Sequence, residues 1–374
     1  MTDQSYTASF AKTIADISQN DWDALNTQGN PFTSYAFFKA LEDSRSLGDR
    51  TGWHPFYLVI KNEKAEVKGL CPSFIKTNSW GEYIFDHAWA EAYERSGLSY
   101  YPKIQIASPF TPVEGPRFLG PQNLWGCALE KLEQAAEDIK ASTVNITFLT
   151  RNEFDRPKDW LQRLSFQFHW FNQNYTGFED FLFYLKSKKR KAIRRERREI
   201  KENGICHDWI TGKDLTPDLM QRFYDFYIDT IDKKWAAPYL TPDFFQKLIE
   251  VMPDKVVLIL ARRGPDILAG ALNFLGQGAL FGRYWGCLKD ETYLHFETCY
   301  YQAIDYAIKN RLARVEAGAQ GPHKVARGYL PTQTYSLHYI RNPYFRDAIG
   351  DFLKREQEAI KREILYWQSK SPYR

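Results

Sequence analysis

The sequence contains no apolar stretch near the roughly 20 residues that a membrane span requires. Its first residues, MTDQSYTASFAKTIADI, have neither the basic start nor the apolar stretch of a signal peptide. The five cysteines are odd in number and form no C-x-x-C pair, which argues against a zinc-finger motif and a disulfide framework. These absences predict a reduced, cytoplasmic protein without a membrane span.

Short motifs for nucleotide and metal binding are also missing. The run GRYWGC is neither a P-loop nor a dinucleotide fingerprint. His295 and Glu297 are two residues apart, which is not the spacing of a helical metal pair. Ligation by His295, His323 and Glu316 is an alternative, but ordinary hydrogen-bonded histidines are the better interpretation. We therefore predict no metal and no resident cofactor.

One basic segment dominates the charge of the chain. KSKKRKAIRRERREIK, residues 186–201, has ten Lys and Arg and two Glu, whereas the remaining chain has 40 basic and 44 acidic residues. The pattern predicts a helix from about residue 178 to residue 203, with a narrow apolar stripe and cationic outer faces. It is either a solvated helix balanced by acidic neighbours or a dock for a polyanion such as tRNA, a nucleotide-sugar diphosphate or an anionic lipid head group. The proposed polyanion ligands are Lys188, Lys189, Arg194 and Arg198.

Two patterns occur twice along the chain. LVIKNEKAEVKGLCPSFI and LILARRGPDILAGALNFL each contain an apolar strand, a charged turn and a second strand. LWGCALEKLEQAAEDIK followed by TVNITFL has the same helix-strand order as ETCYYQAIDYAIKN followed by ARVEAGA. A repeat of pattern at a constant order indicates duplication. We predict two domains, residues 1–170 and residues 171–374.

The second half predicts a mixed sheet. The short turn sequences GPD and GQG join KVVLILARR, DILAGALNFLG and ALFGRYWGC, which favours three antiparallel strands. A helix and then RVEAGA follow, which implies a parallel crossover. This is the order of the GNAT acyltransferase fold. The expected class is α/β with α+β mixed sheets: two tandem GNAT-like domains, each a mostly antiparallel sheet flanked by helices, with a splayed parallel strand pair.

Longer motifs resemble one family. GRYWG, HFETCYYQAI, EAGAQGPHK and RGYLPTQTYSLH, with GWHPFYLV, WAEAYERSGLSYYPK and PFTPVEGPRFLG, are similar to the FemAB-like family of predicted N-acyltransferases. The resemblance covers most of the chain and implies N-acyl transfer in peptidoglycan biosynthesis or recognition. It also implies tRNA as a candidate partner, because the related Fem enzymes use aminoacyl-tRNA. One departure is Pro322, where the family often has an acidic residue.

The segment EAGAQGPHKVARGYLPTQTYSLH, residues 316–338, contains most of the candidate catalytic groups. Acyl transfer to an amine needs a base for the ammonium proton, a donor for the oxyanion and cations for phosphates. The catalytic candidates are Glu316, His323, Glu297 and Tyr329. The donor and phosphate site is predicted at Lys324 and Arg327, with Gly318 and Gly321 letting the backbone approach the ligand.

A structural alternative applies to the same segment, in which Glu316 pairs with Arg327 or Arg314 in a rigid loop. An ordinary acetyl-CoA site is disfavoured, because no glycine-rich phosphate turn precedes the crossover helix, only GCLKDETYL. In the first half Gly115 and Gly120 occupy the corresponding place, where we interpret them as ending a strand.

These patterns favour a cytoplasmic N-acyltransferase. The donor is an acyl thioester or an aminoacyl-tRNA, so acyl-CoA or charged tRNA would act as a co-substrate. The acceptor is a small-molecule or peptide amine, such as a cell-wall precursor. The alternative is a non-catalytic recognition module that binds a cell-wall precursor or a nucleic acid in the same cleft.

Overall fold

The computed structural model describes residues 6–155, 160–233, 237–289, 291–318 and 321–374. The strands are β1 (Tyr6–Ala11), β2 (Trp53–Pro55), β3 (Tyr57–Asn62), β4 (Val67–Cys71), β5 (Ser73–Lys76), β6 (Lys103–Ile106), β7 (Thr143–Leu149), β8 (Leu161–Phe171), β9 (Ile205–Thr211), β10 (Val256–Arg263), β11 (Asp266–Gly276), β12 (Ala279–Cys287), β13 (Arg314–Glu316) and β14 (Leu330–Ile340).

The helices are α1 (Gln19–Leu25), α2 (Tyr35–Asp43), α3 (His87–Arg95), α4 (Trp125–Asp138), α5 (Arg151–Phe154), α6 (Phe178–Phe183), α7 (Ser187–Glu202), α8 (Pro217–Asp232), α9 (Pro242–Val251), α10 (Leu294–Phe296), α11 (Gln302–Lys309) and α12 (Pro343–Ser369). A π-helical turn, Glu297–Tyr301, joins α10 to α11, and a 3-10 helix covers Pro322–Arg327. None of the described helices combines the length and the apolar character needed to cross a bilayer.

The chain forms two compact units, and neither is continuous in sequence. Unit 1 is Met1–Ser165 with Gln333–Lys361, and unit 2 is Phe166–Thr332 with Arg362–Arg374. A single boundary near residue 170 had been predicted, which placed residues 333–361 in the second domain. The structure places them in unit 1 because β14 pairs with β7, and this pairing between distant residues has no local sequence signal.

The strands of unit 1 fall in two sheets: β1, β3 and β4 form one, and β2, β5, β6, β7 and β14 are successive neighbours in another. β1, β3 and β4 are antiparallel neighbours, and β5 continues β4 after Pro72. β5 then pairs antiparallel with β6, β6 pairs parallel with β7, and β7 pairs antiparallel with β14. The helix α4 connects the two parallel strands and buries Leu132 and Ala136 against Ile106 and Val144.

Unit 2 repeats this order with other segments. β9, β10, β11 and β12 are successive antiparallel neighbours, β12 pairs parallel with β13, and β13 pairs antiparallel with β8. The predicted meander of β10, β11 and β12 is therefore confirmed. Its second turn has positive φ at both Gln277 (53°) and Gly278 (66°), as a tight two-residue hairpin requires. If β5 is taken as the continuation of β4, unit 1 follows the strand order of unit 2 apart from its additional strand β2. The predicted mixed-sheet fold of two tandem GNAT-like domains is confirmed.

The predicted single helix over residues 178–203 is wrong, because it is two helices, α6 and α7. Between them the backbone N–H of Lys186 donates to the Pro372 carbonyl at 2.8 Å, and Leu185 forms a β-bridge with Tyr373. This extended connection ends α6 at Phe183. The apolar stripe of the prediction is thus divided, with Leu182 in α6 and Ile193 in α7.

Candidate active site between β12 and β13

The parallel strands of unit 2 separate and leave a cavity. β12 and β13 are paired from Ala279 with Arg314 to Phe281 with Glu316, and they diverge beyond this point. A cavity of about 100 Å³ lies in the gap. Its walls come from β11, β12, the π-helical turn and the residues that follow β13: Ala271, Asn273, Gly282, Arg283, Tyr284, Trp285, His295, Cys299, Tyr300, Ala317 and Gly318.

Two glycines shape the mouth of the gap. A Cβ added to Gly282 would lie 3.4 Å from the Glu316 carbonyl oxygen and 3.7 Å from the Ala317 Cα, so Gly282 marks the last close approach of the two strands. Gly318 has φ of 77°, a conformation that L side chains rarely adopt, and open space surrounds the position of its missing Cβ. Gly318 lies in the cavity wall, and its predicted role in letting the backbone approach a ligand stays a prediction.

The crossover helix, Leu294–Lys309, contributes its irregular first turns to the cavity. It follows Tyr293, whose φ is 63°, and the π-helical turn lies between α10 and α11. A π-turn inserts a residue into the helix and changes which side chains face a given side. Cys299 and Tyr300, which both belong to this turn, line the cavity.

Tyr300 and His323 form a hydrogen-bonded pair at the cavity wall, with 2.9 Å between Oη and Nε2. Burial raises the pKa of Tyr300, so its hydroxyl keeps its proton at neutral pH. Burial, together with Lys324 and Arg327, lowers the pKa of His323, so its imidazole is neutral. His323 is exposed and Tyr300 is buried, so the hydrogen bond joins a buried residue of the cavity wall to an exposed imidazole.

Lys324 is buried directly behind the cavity wall. It is 2% exposed, and its Nζ donates to the carbonyl oxygen of Gly318 at 3.2 Å. Burial lowers the pKa of Lys324 to about 8, and the neighbouring Cys299 opposes part of this effect. Among the described residues Lys324 has no carboxylate within ion-pair distance. Lys324 is thus enclosed in the interior, and its assignment to the donor phosphates stays a prediction.

Arg327 is held by groups of unit 2 rather than presented to solvent. Its Nη2 lies 3.1 Å from Glu196 Oε2, and its Nη1 donates to the His323 carbonyl at 3.0 Å. The guanidinium stacks over the Phe296 ring at 3.4 Å. Glu196 also accepts from the Tyr301 hydroxyl. In this structure Arg327 fixes the 3-10 helix to α7, and its assignment to phosphate stays a prediction.

Glu316 is the last residue of β13 and precedes the cavity wall by one position. Its Oε1 accepts from Arg314 Nε at 2.8 Å, as the structural alternative expected. Its Oε2 lies 3.8 Å from Nε2 of His169 and has no hydrogen-bond partner among the described residues. The carboxylate is 3% exposed and does not line the cavity.

Glu297 and Tyr329 are the other two predicted catalytic residues. Glu297 Oε1 accepts from Arg197 Nε at 3.2 Å and from Gln302 Nε2 at 2.8 Å, and burial raises the pKa of its carboxyl. Tyr329 packs its ring 5.6 Å from that of Tyr300, and its hydroxyl has no partner among the described residues. Both side chains are buried, and neither lines the cavity.

Gly321 lies next to the imidazole of His323. Its φ is 121°, and an added Cβ would lie 2.7 Å from Cε1 of His323. A side chain at this position would displace the imidazole from Tyr300. Residues 319 and 320 of the predicted segment lie outside the described residues.

The four predicted polyanion ligands differ in their surroundings. Arg194 pairs with Glu179, and Arg198 lies 3.6 Å from Glu202, with all four side chains largely exposed. Lys188 is exposed and Lys189 is half-buried, and no ion pair to either is found within the described ranges. The helix is thus partly balanced by its own acidic neighbours, with two lysines left to attract anions. No group of three or more metal-ligating side chains occurs among the described residues.

In unit 1 the corresponding gap is filled by the protein itself. β6 and β7 are paired up to Ile146, and beyond it Arg117 Nε donates to the Thr147 carbonyl at 2.8 Å. The N–H of Gly115 donates to the Phe148 carbonyl at 3.0 Å. These bonds place residues 113–117 beside the end of β7, where β6 no longer pairs with it. Burial lowers the pKa of Arg117 to about 10, and three backbone carbonyls hold its guanidinium.

Gly115 and Gly120 are tightly packed in this segment. An added Cβ would lie 2.3 Å from Asn30 Nδ2 at Gly115 and 2.6 Å from the Lys68 carbonyl oxygen at Gly120. A side chain at either position would collide with these neighbours, so close packing favours glycine here.

The strand order and the open gap of unit 2 define a tandem GNAT-like protein. The chain matches the model of the FemAB-like family, described as peptidoglycan biosynthesis/recognition, over residues 13–374. The chain therefore belongs to the FemAB-like family. No curated protein matches the sequence.

Solved structures of similar fold span almost the whole chain. FemX is 11% identical with a TM-score of 0.54, covering 89% of this chain and 98% of its own. L-PGS from Bacillus licheniformis is 8% identical with a TM-score of 0.55, covering 90% and 97%. A conserved protein of unknown function from Bacteroides thetaiotaomicron is 13% identical with a TM-score of 0.53, covering 89% and 99%. At these identities the likeness establishes the fold.

Sequence reasoning missed two side chains that the structure brings to the cavity, Tyr300 and Cys299. Both lie in HFETCYYQAI, one of the motifs that resemble the family. The sequence alone does not tell which of its aromatic side chains faces the gap. The π-turn decides which of them faces the gap, and no sequence signal for it was used. Of the predicted catalytic residues, His323 is the one that the structure bonds to the cavity wall.

Proposed function

We propose that unit 2 transfers an acyl or aminoacyl group from a thioester or an aminoacyl-tRNA to an amine, with the reacting carbonyl in the gap between β12 and β13. The observation that carries the proposal is the cavity with the Tyr300–His323 pair in its wall. The filled gap of unit 1 supports the choice of unit 2. An amine of a cell-wall precursor is the proposed acceptor, in keeping with the description of the family.

The chemistry requires one proton acceptor. The amine nitrogen attacks the acyl carbon, a C–N bond forms, and the C–S or C–O bond of the donor breaks. The ammonium nitrogen loses a proton, and the leaving sulfur or oxygen gains one. In our proposal Tyr300 Oη takes the ammonium proton while passing its own proton to the neutral His323 Nε2. Because His323 is exposed, it can exchange this proton with solvent.

The assay follows amide formation by mass spectrometry with acyl-CoAs and charged tRNAs as donors and amine-containing cell-wall precursors as acceptors. Tyr300→Phe removes the hydroxyl and keeps the ring, and His323→Ala removes the acceptor. Each should lower kcat by about 100-fold or more with little change in KM. The matched control is His87→Ala, an exposed histidine of unit 1, which should leave kcat unchanged.

The pH profile gives an independent readout. The pKa of His323 is lowered, so the wild-type rate should persist below the usual imidazole range and decline as the pH falls through that lowered value. Full activity of both variants, or binding of the precursor without any turnover by the wild type, would contradict the proposal. The second result would favour a recognition module.

A further inference from the structure

Two adjacent aromatic side chains are exposed where α6 ends. Phe183 is 59% exposed and Tyr184 is 50% exposed, whereas Phe181, Leu182 and Leu185 are buried beneath them. A second exposed pair, Leu365 at 64% and Tyr366 at 53%, lies on the part of α12 that belongs to unit 2. Large apolar groups that are exposed together and rimmed by charge mark interaction surfaces.

Cationic side chains surround the first pair. The Arg374 guanidinium lies over the Phe183 ring at 4.9 Å, and Arg190 Nη1 donates to the Phe183 carbonyl at 3.3 Å. Lys186 Nζ donates to the Ser371 carbonyl at 2.7 Å. These contacts bring the start of α7 and the segment after α12 to one surface, since the Lys186 N–H also bonds to the Pro372 carbonyl.

The second pair adjoins the same segment. Lys370 Nζ lies 5.2 Å above the Tyr366 ring, and Trp367 turns inward against Phe168. The carboxylates of α6 are engaged elsewhere, because Glu179 pairs with Arg194 and Asp180 accepts from Thr176. Four cations accompany the two exposed pairs, Lys186, Arg190, Lys370 and Arg374, and on α12 the carboxylate of Glu363 accepts from Trp367 Nε1. We call this the aromatic–cationic surface: Phe183, Tyr184, Lys186, Arg190, Leu365, Tyr366, Lys370 and Arg374.

We infer that the aromatic–cationic surface binds an anionic phospholipid membrane in its interfacial layer. Phe and Tyr bury their rings at the boundary of head groups and acyl chains, and Lys and Arg bind lipid phosphates around them. Phosphates of a nucleic acid would account for the cations, but they would leave two half-exposed aromatic pairs without a partner. This inference does not depend on the proposed transfer reaction.

The test uses the full chain and two kinds of vesicle, phosphatidylcholine alone and an equal mixture of phosphatidylcholine with phosphatidylglycerol. Co-sedimentation should show binding to the mixed vesicles and much weaker binding to the neutral ones. Phe183→Ser combined with Tyr184→Ser should lower the partition coefficient by roughly tenfold. Lys186→Gln should lower it by roughly fivefold, and less at high salt.

The control is Tyr344→Ser, because Tyr344 is 75% exposed but belongs to unit 1, whereas the aromatic–cationic surface belongs to unit 2. It should bind like the wild type. No binding to mixed vesicles, unchanged binding by the double variant, or an equal loss with Tyr344→Ser would overturn the inference. Binding of RNA that the double variant loses, without vesicle binding, would assign the surface to RNA instead. Thermal unfolding of each variant shows that the fold is intact.

Discussion

Replacing Lys324 with Met should stabilise the protein at neutral pH, although the substitution is in the interior of unit 2. Lys324 is 2% exposed, donates to one carbonyl and has no carboxylate partner within the described residues. Burying an ammonium with so few partners costs free energy, because water is lost and little replaces it. Methionine has a similar length and no charge, so it fills the space without that cost.

The magnitude follows from the lowered pKa. In the unfolded chain Lys324 has its usual value of 10.5, and in the folded chain burial lowers the pKa to about 8. The penalty is complete below the folded value and disappears as the pH rises through the unfolded one. The difference corresponds to about 3 kcal/mol at pH near 7 and about 1 kcal/mol at pH near 10. Loss of the hydrogen bond to Gly318 offsets about 1 kcal/mol at either pH.

Urea unfolding at both pH values measures this effect. Lys324→Met should raise the free energy of unfolding by about 2 kcal/mol at neutral pH and change it little at the alkaline pH. The control Lys188→Met alters an exposed lysine and should change neither value by more than about 0.5 kcal/mol. A variant that is less stable than the wild type at both pH values would refute the reasoning, because it would mean that the ammonium has a strong partner.

Three further variants test separate parts of the structure. Ala271→Leu places a larger side chain in the cavity wall and should raise KM for the acyl donor at least about tenfold with the fold intact; unchanged KM would place the donor elsewhere. Lys188→Gln with Lys189→Gln should reduce the slope of log K against log salt for a polyanion by about 2, more than the same change at the ion-paired arginines of α7. Glu316→Gln should lower the free energy of unfolding by about 1–2 kcal/mol, because it weakens the bond to Arg314, while kcat stays within a few-fold. A large loss of kcat without loss of stability would identify Glu316 as the base.

Local sequence signals were sufficient for most of the fold. The strands β10, β11 and β12 are apolar runs separated by short turns, and each turn fixes the pairing of its two neighbours. The strand and helix patterns also occur twice in the same order, and this repeat indicated duplication. The helix break at Leu185 could not be predicted this way, since it depends on a bridge to Tyr373 at the other end of unit 2. The assignment of β14 to unit 1 likewise depends on its pairing with a distant strand.

The sequence predicted where the gap between the parallel strands lies. The chemical roles of the predicted site residues remain predictions. Glycine spacing and the crossover pattern placed the gap at the end of β13, where the cavity is found. Charge type alone, however, does not reveal burial or partners. The sequence predicts that Arg327 and Lys324 bind phosphate. In the structure Arg327 pairs with Glu196, and Lys324 is enclosed in the interior. The orientation of Tyr300 depends on the π-helical turn, so it could not be predicted without that turn.

The two units resolve one structural problem in different ways. Each has a parallel pair that diverges and exposes strand carbonyls, and each brings a buried cation to the divergence. In unit 1 Arg117 donates to three carbonyls and closes the gap with the chain itself. In unit 2 Lys324 donates to the single carbonyl of Gly318 and leaves a cavity beside it. A cation without enough acceptors destabilises the fold unless a ligand supplies another oxygen. The gap of unit 1 is therefore closed by the chain itself, whereas in the gap of unit 2 a ligand oxygen would give the Lys324 ammonium a second acceptor.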